Sequence, residues 1–107
     1  MNILSGASHR ADAGITVKFT CQGDVMKLHC QSPRAIKIYK AEYSRKQNII
    51  CNRRNSAKYC GPVDKMSLLR ERCEGQMTCN VSVDGNTMGD NCPKAFKYLD
   101  VVYECSK

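Results

Sequence analysis

Asp90 and Lys97, an acid and a base seven residues apart, bracket Cys92, Pro93 and Phe96 near the end of the chain. A carboxylate accepts hydrogen bonds from two neighbouring hydroxyls, and an ammonium group donates several. A polar loop of this kind, pinned by a disulfide and running into a rigid strand, suits a small polar ligand rich in hydroxyls. Tyr43 offers a ring face and a hydroxyl to the same kind of ligand. Residue chemistry alone also allows Asp90 and Lys97 to form a loop ion pair, with Tyr43 as core or cap. Before the order of motifs is considered, that second reading is the stronger one.

Other chemistries find less support. His29 sits beside Cys30 in a short apolar stretch, and His9 lies near the start of the chain. Neither is paired with a nucleophile or an acid in any pattern that triad or dyad catalysis requires. There is no glycine-rich phosphate loop, and the carboxylates are scattered. The eight cysteines fall at gaps of 9, 21, 9, 13, 6, 13 and 13 residues. Zinc sites draw two ligands from one tight turn, and this spacing provides no such pair. The expectation is a protein that is not an enzyme and that uses no metal or other cofactor.

Alternating stretches of the chain predict the strands that position these groups. Ile15 to Cys21 alternates cleanly, with Ile15, Val17, Phe19 and Cys21 expected inward. Met26, Leu28 and Cys30 form the inner face of a second short strand, and the turn at Gln22–Asp24 suggests a hairpin between the two. Ala35 to Tyr43 reads as a strand with Ile36 and Ile38 on one face and Lys37, Tyr39, Ala41 and Tyr43 on the other. Residues 44–62 read as a long basic loop with a short strand at Ile49–Cys51. Asp64 to Gly75 predicts the one helix, with Asp64 as N-cap and Met66, Leu69 and Cys73 on one face. Cys79, Val81 and Val83 alternate again, as do Leu99, Val101, Tyr103 and Cys105 in the last strand.

A chain of 107 residues makes one small domain, whose core is marginal without covalent help. An even count of cysteines supplies that help and points to an oxidising compartment. Eight cysteines leave 105 pairings open. The fold class expected is β-rich α+β: a β-sandwich-like domain with one short helix and long loops held by four disulfides. Residues 1–14 read as a flexible N-terminal arm without a signal-peptide pattern, which suggests a domain taken from a longer reading frame. No stretch is apolar for long enough to enter a bilayer.

The net charge is +7, and residues 34–58 carry eight basic groups against the single acid Glu42. The rest of the chain is balanced. Such a stretch is either a solvated face or a site for sulfated glycans or acidic proteins. Nucleic acid is not an expected partner, since the cysteines argue against an intracellular home. Asn80-Val81-Ser82 is an N-glycosylation sequon, in keeping with a secreted protein or the extracellular part of a membrane protein.

Three elements then occur in order: eight cysteines, Ala41-Glu42-Tyr43-Ser44-Arg45, and Gly89-Asp90-Asn91-Cys92-Pro93 followed by Lys97-Tyr98-Leu99. In these the chain resembles the sea-urchin-egg-lectin family of rhamnose- and galactose-binding domains, found in fish-egg lectins and at the N-terminus of latrophilin-type receptors. The family patterns are Ala-Asn-Tyr-Gly-Arg, Gly-Asp-Pro-Cys-Pro and Lys-Tyr-Leu, and the likeness covers Val17 to Cys105. It implies the disulfides Cys21–Cys51, Cys30–Cys105, Cys60–Cys92 and Cys73–Cys79. It also implies calcium-independent binding of L-rhamnose or D-galactose. The family's sugar contacts fall here on Gln22, Tyr43, Asp90 and Lys97, with Lys94 beside them.

Two departures bear on the site. Gln22 stands where the family has an acid, and Lys94 where it has a small glycine. The expectation is therefore non-catalytic carbohydrate binding. The alternative is a sugar-independent protein-interaction module of an adhesion receptor, with sulfated glycans held by the 34–58 stretch.

Overall fold

The computed structural model describes residues 14–46, 50–51, 59–89, 92 and 95–107. The expected N-terminal arm, apart from Gly14, lies outside the described residues, as do Asp90 and Lys94. Among the described residues the fold has six strands and one two-turn helix: β1 (Ile15–Cys21), β2 (Val25–His29), β3 (Ala35–Arg45), β4 (Cys60–Asp64), α1 (Met66–Cys73), β5 (Thr78–Ser82) and β6 (Tyr98–Ser106). A single helical turn, α2 (Gly85–Met88), follows β5 and is capped by the Asp84 side chain, which accepts from Thr87 N–H. A four-stranded sheet runs in the order β1-β6-β3-β4, and β2 pairs with β5 in a second sheet. All pairings are antiparallel.

The core fills the space between the sheets. Met26 and Leu28 of β2, Val81 of β5, Ile36, Ile38, Ala41 and Tyr43 of β3, and Leu99 and Val101 of β6 are all buried in one cluster. Leu69 and Cys73 of α1 close it, because the helix packs on β3 and β5. Asp64 caps that helix from just outside it, accepting from Met66 N–H at 2.8 Å. Gly75 stops it in the left-handed region at φ 80°. Cys30–Cys105 and Cys73–Cys79 staple this half of the molecule.

Four local expectations are corrected, three here and one in β3. β1 and β2 do not form a hairpin; they belong to different sheets. The short strand expected at Ile49–Cys51 is a turn where it is described, and the pairing partner of β3 in this region is β4. Most telling, β1 turns its apolar face outward, with Ile15, Val17 and Phe19 58%, 53% and 44% exposed. Its register sets Val17 opposite Val102 and Phe19 opposite Asp100, residues of the outer face of β6. β6 must bury Leu99, Val101 and Cys105, so its parity decides which face of β1 looks inward. Alternation names two faces; only the partner strand says which is inside.

The strand β3 holds a second shift of parity. Its register against β6 slips between Ile38 and Lys40, leaving Tyr39 as the extra residue of a bulge. Beyond the bulge, Ala41 and Tyr43 join Ile36 and Ile38 on the buried face, contrary to the simple alternation expected. Tyr39 points outward and donates to Glu104 Oε1 at 2.5 Å. On the same outer face Lys40 pairs with Asp100 at 3.0 Å and Glu42 at 3.7 Å.

The hydrogen bond from Lys40 to Asp100 holds the ammonium above the ordinary lysine range, and Glu104 does the same for the Tyr39 phenol. Both protonated forms are favoured by folding. Their contribution is therefore complete below the unfolded values and fades as pH rises through the folded ones. We expect the Lys40 side chain, followed by its carbon-13 shift, to titrate later than the free amino acid. In Asp100→Asn it should move back toward the ordinary value.

Candidate carbohydrate-binding site

At the end of β3 the guanidinium of Arg45 is buried, 1% exposed. Burying a charge without partners is costly, so its donors must be met by oxygens. Arg45 Nε donates to Phe96 O at 2.7 Å, Nη1 to Ile50 O at 2.6 Å and Nη2 to Cys51 O at 2.5 Å. One planar fork thus holds the turn at Ile50–Cys51 and the lead-in to β6. The guanidinium also lies 5.7 Å from the centre of the Tyr98 ring, which Phe19 meets edge-on at 5.7 Å. Sequence reasoning counted Arg45 among surface cations. Its place as the last residue of the Ala41-Glu42-Tyr43-Ser44-Arg45 motif was the available signal.

Lys97 does for the next loop what Arg45 does for this one. Its side chain is 0% exposed. Nζ donates to Cys92 O at 2.6 Å and Ala95 O at 2.8 Å, and sits 5.6 Å from the centre of the Tyr43 ring. Tyr43 is likewise 0% exposed and belongs to the core cluster. Of the two readings of Tyr43, ligand-facing ring or core, the structure holds it as core, and Lys97 is buried with it. They form the floor of the loop: a core aromatic, a cation above it, and loop carbonyls bound to the cation.

Gln22 completes the group from the end of β1. Its N–H donates to Lys97 O at 2.8 Å, and its side-chain Oε1 accepts from Lys97 N–H at 2.9 Å. The side chain is half-buried. With Oε1 committed to the backbone, the amide NH2 is the end left to face a ligand. A glutamate here could spend one oxygen on Lys97 N–H and offer the other as an acceptor. The structure thus brings Gln22, Tyr43 and Lys97 together. Asp90 and Lys94, expected beside them, lie outside the described residues.

Two disulfides frame the cluster. Cys21–Cys51 joins the residue before Gln22 to the turn that Arg45 holds, and Cys60–Cys92 joins β4 to the loop that Lys97 holds. A shallow groove lined by Ala35, Ile36, Lys37, Glu74, Gly75, Ser106 and Lys107 lies at the opposite end of β3 and contains none of the expected site residues. Asn80 of the sequon is exposed, in β5 opposite Lys27.

The basic stretch is not a uniform positive face. Of its described cations, Arg45 is buried, Arg34 donates to Cys105 O, and Lys37 lies over the Tyr39 ring. Lys40 pairs with Asp100 and Glu42, and Lys46 with Glu42 at 3.3 Å. Arg53, Arg54 and Lys58 lie outside the described residues. Among the described residues, then, one of these cations is spent inside the fold and two are paired with acids at the surface.

Comparison with known proteins agrees with the motif order. The model of the D-galactoside/L-rhamnose binding SUEL lectin domain matches residues 28–105. The chain is 30% identical over 90 residues to an L-rhamnose-binding lectin of Echinometra lucunter, covering 81% of this chain and 87% of that lectin. It is 31% identical over 90 residues to a D-galactoside-specific lectin of Heliocidaris crassispina, covering 80% and 86%. It is 36% identical over 96 residues to the mouse protein eva-1 homolog C, covering 82% of this chain but only 21% of that longer protein.

Arg45→Lys tests the clamp. A lysine can reach no more than part of a three-carbonyl set spread over two loops. The expected loss is about 2–4 kcal/mol of stability in denaturant unfolding with the disulfides intact. Faster amide exchange at Cys51 and Lys97 should accompany it. An unchanged midpoint would show that the disulfides alone hold the loops.

Proposed function

The chain belongs to the D-galactoside/L-rhamnose binding SUEL lectin domain family, and from that premise we propose that it binds sugars of this type, without catalysis, at the loop cluster around Gln22 and Lys97. The observation that carries the placement is the joint between these two residues. Main chain and side chain of Gln22 grip Lys97, while Lys97 grips the loop carbonyls of Cys92 and Ala95 above Tyr43. A site for a small sugar needs polar groups fixed in advance, because each hydroxyl contact is weak and ordering loops on binding would consume it.

In this reading the residues divide into two roles. Lys97 and Tyr43 are positioning residues that set the height of the loop. Asp90 accepts from neighbouring sugar hydroxyls, and Gln22 donates through its amide. Binding needs no calcium. The domain works outside the cell, either secreted or as part of an ectodomain. Four disulfides and an exposed Asn80 sequon support that location. Among the described residues no helix is long and apolar enough to cross a membrane.

The test is an amide NMR titration with L-rhamnose and D-galactose, with and without EDTA. Saturable shifts centred on Gln22 and on residues 90–97, unchanged by EDTA, are the expected result. No shift at tens of millimolar sugar would overturn the reading. Gln22→Glu should restore an acceptor to the site. It is expected to tighten binding of either sugar by about tenfold, the value of one charge-assisted hydrogen bond. Lys94→Gly, which restores the family's small residue, should tighten it further.

A further inference from the structure

The outward apolar face of β1 takes no part in the core, and it touches the loop cluster only where Phe19 meets the Tyr98 ring edge-on. Ile15, Val17 and Phe19 stand side by side on it, at 58%, 53% and 44% exposure. β1 is also the outermost strand of its sheet. An exposed, apolar edge strand is the kind of surface that natural sheets usually blunt or cover.

The backbone of the strand says which groups face that edge. β1 pairs with β6 up to Cys21 opposite Tyr98, and the bond from Gln22 N–H to Lys97 O continues the ladder by one residue. In an antiparallel ladder the bonding groups alternate along the strand. Thr16, Lys18 and Thr20 therefore turn their N–H and C=O toward β6. Those of Ile15, Val17 and Phe19 point to the free edge, where no described strand pairs with them. Cys21 fits the same parity, since its carbonyl accepts from Asp24 N–H in the turn.

We propose that this edge pairs with β1 of a second copy of the chain, antiparallel across a two-fold axis at Val17. The strand is self-complementary in that register. Val17 meets Val17 of the second copy, Ile15 meets Phe19, and Thr16 meets Lys18. All outward N–H and C=O groups of one strand then face those of the other. Lys18, the only charge in Ile15–Cys21, excludes one neighbouring register, and moving the axis the other way, to Thr16, leaves Phe19 with no partner within the strand. Moving the axis to Lys18 keeps the parity but sets two ammonium groups opposite each other. A shift by half that step sets apolar residues against polar ones and misaligns the bonds. The contact uses the same patch on both copies, so it closes as a dimer and extends no further. Nothing in it depends on sugar binding.

Sedimentation velocity of the 107-residue chain over a concentration series tests this, with Val17→Pro and Val17→Lys alongside. Proline removes an N–H that faces the free edge, so the ladder to β6 keeps its bonds. Lysine sets like charges at the axis. The expected result is a monomer–dimer equilibrium for the natural chain, and monomers with native amide spectra for both variants. A mixed-label sample should also show contacts between Ile15 and Phe19 of different copies. If the proline variant fails to fold, the lysine variant decides, because a half-exposed position accepts it without touching the ladder. A natural chain that stays monomeric to millimolar concentration would overturn the proposal, including the case where an extended segment of another protein covers the edge. So would a dimer that survives both substitutions.

Discussion

A guanidinium shut away from water must find oxygens, and in this domain that requirement organises everything around the site. Arg45 reaches them in two loops at once, at Ile50 and Cys51 on one side and at Phe96 on the other. The loops cannot drift apart without leaving a buried cation short of acceptors, which costs more than the bonds themselves contribute when intact. Tyr98, packed between Arg45 and Phe19, ties this clamp to the first residues of β6 and the end of β1. The position of Gln22 and Lys97 follows from that frame.

Lys97 repeats the device on a smaller scale. Two carbonyls and an aromatic face receive its ammonium, and Gln22 fixes its backbone. The two disulfides nearby do a different job. Cys21–Cys51 and Cys60–Cys92 limit how far the unfolded chain can spread, and so keep the loops near one another. They do not aim a side chain. Aim comes from the two buried cations, whose hydrogen bonds have direction. A domain with few large apolar residues to spare thus builds a rigid loop region from charge and carbonyls instead of from hydrophobic packing.

Much of the fold was legible in the sequence because alternation and turn chemistry are local. The strands at Ile15–Cys21, Val25–His29 and Thr78–Ser82, and the helix ending before Gly75, lie where pattern and punctuation put them. What was not legible is relational. The inward face of β1 depends on the parity of β6, the faces of β3 depend on a bulge, and the strand pairing depends on the whole topology. The site divides in the same way. Motif order marked Gln22, Tyr43 and Lys97 as neighbours, which they are. It could not say that Lys97 is buried beneath the loop, since lysine is by composition a surface residue, whereas residue chemistry alone already allowed Tyr43 as core. Arg45 was hidden among basic neighbours for the same reason. Charge counted along a chain does not distinguish a solvated cation from one that is spent inside.

The bulge at Tyr39 gives β3 something like a reading frame. Upstream of it Ile36 and Ile38 face the core; downstream, Ala41 and Tyr43 do, and only the one supernumerary residue reconciles the two phases. Removing Tyr39 would delete the bulge and leave a strand of plain alternation, with Ile38, Ala41 and Tyr43 on the same buried face as before. Ironing the bulge out without losing a residue would instead invert the strand's second half, expel Tyr43 toward solvent and turn Glu42 and Ser44 against the apolar core. The stretch between Ile38 and Ala41 can therefore be one residue shorter and still enclose the same interior, whereas substitutions at Tyr39 itself alter only the outer surface.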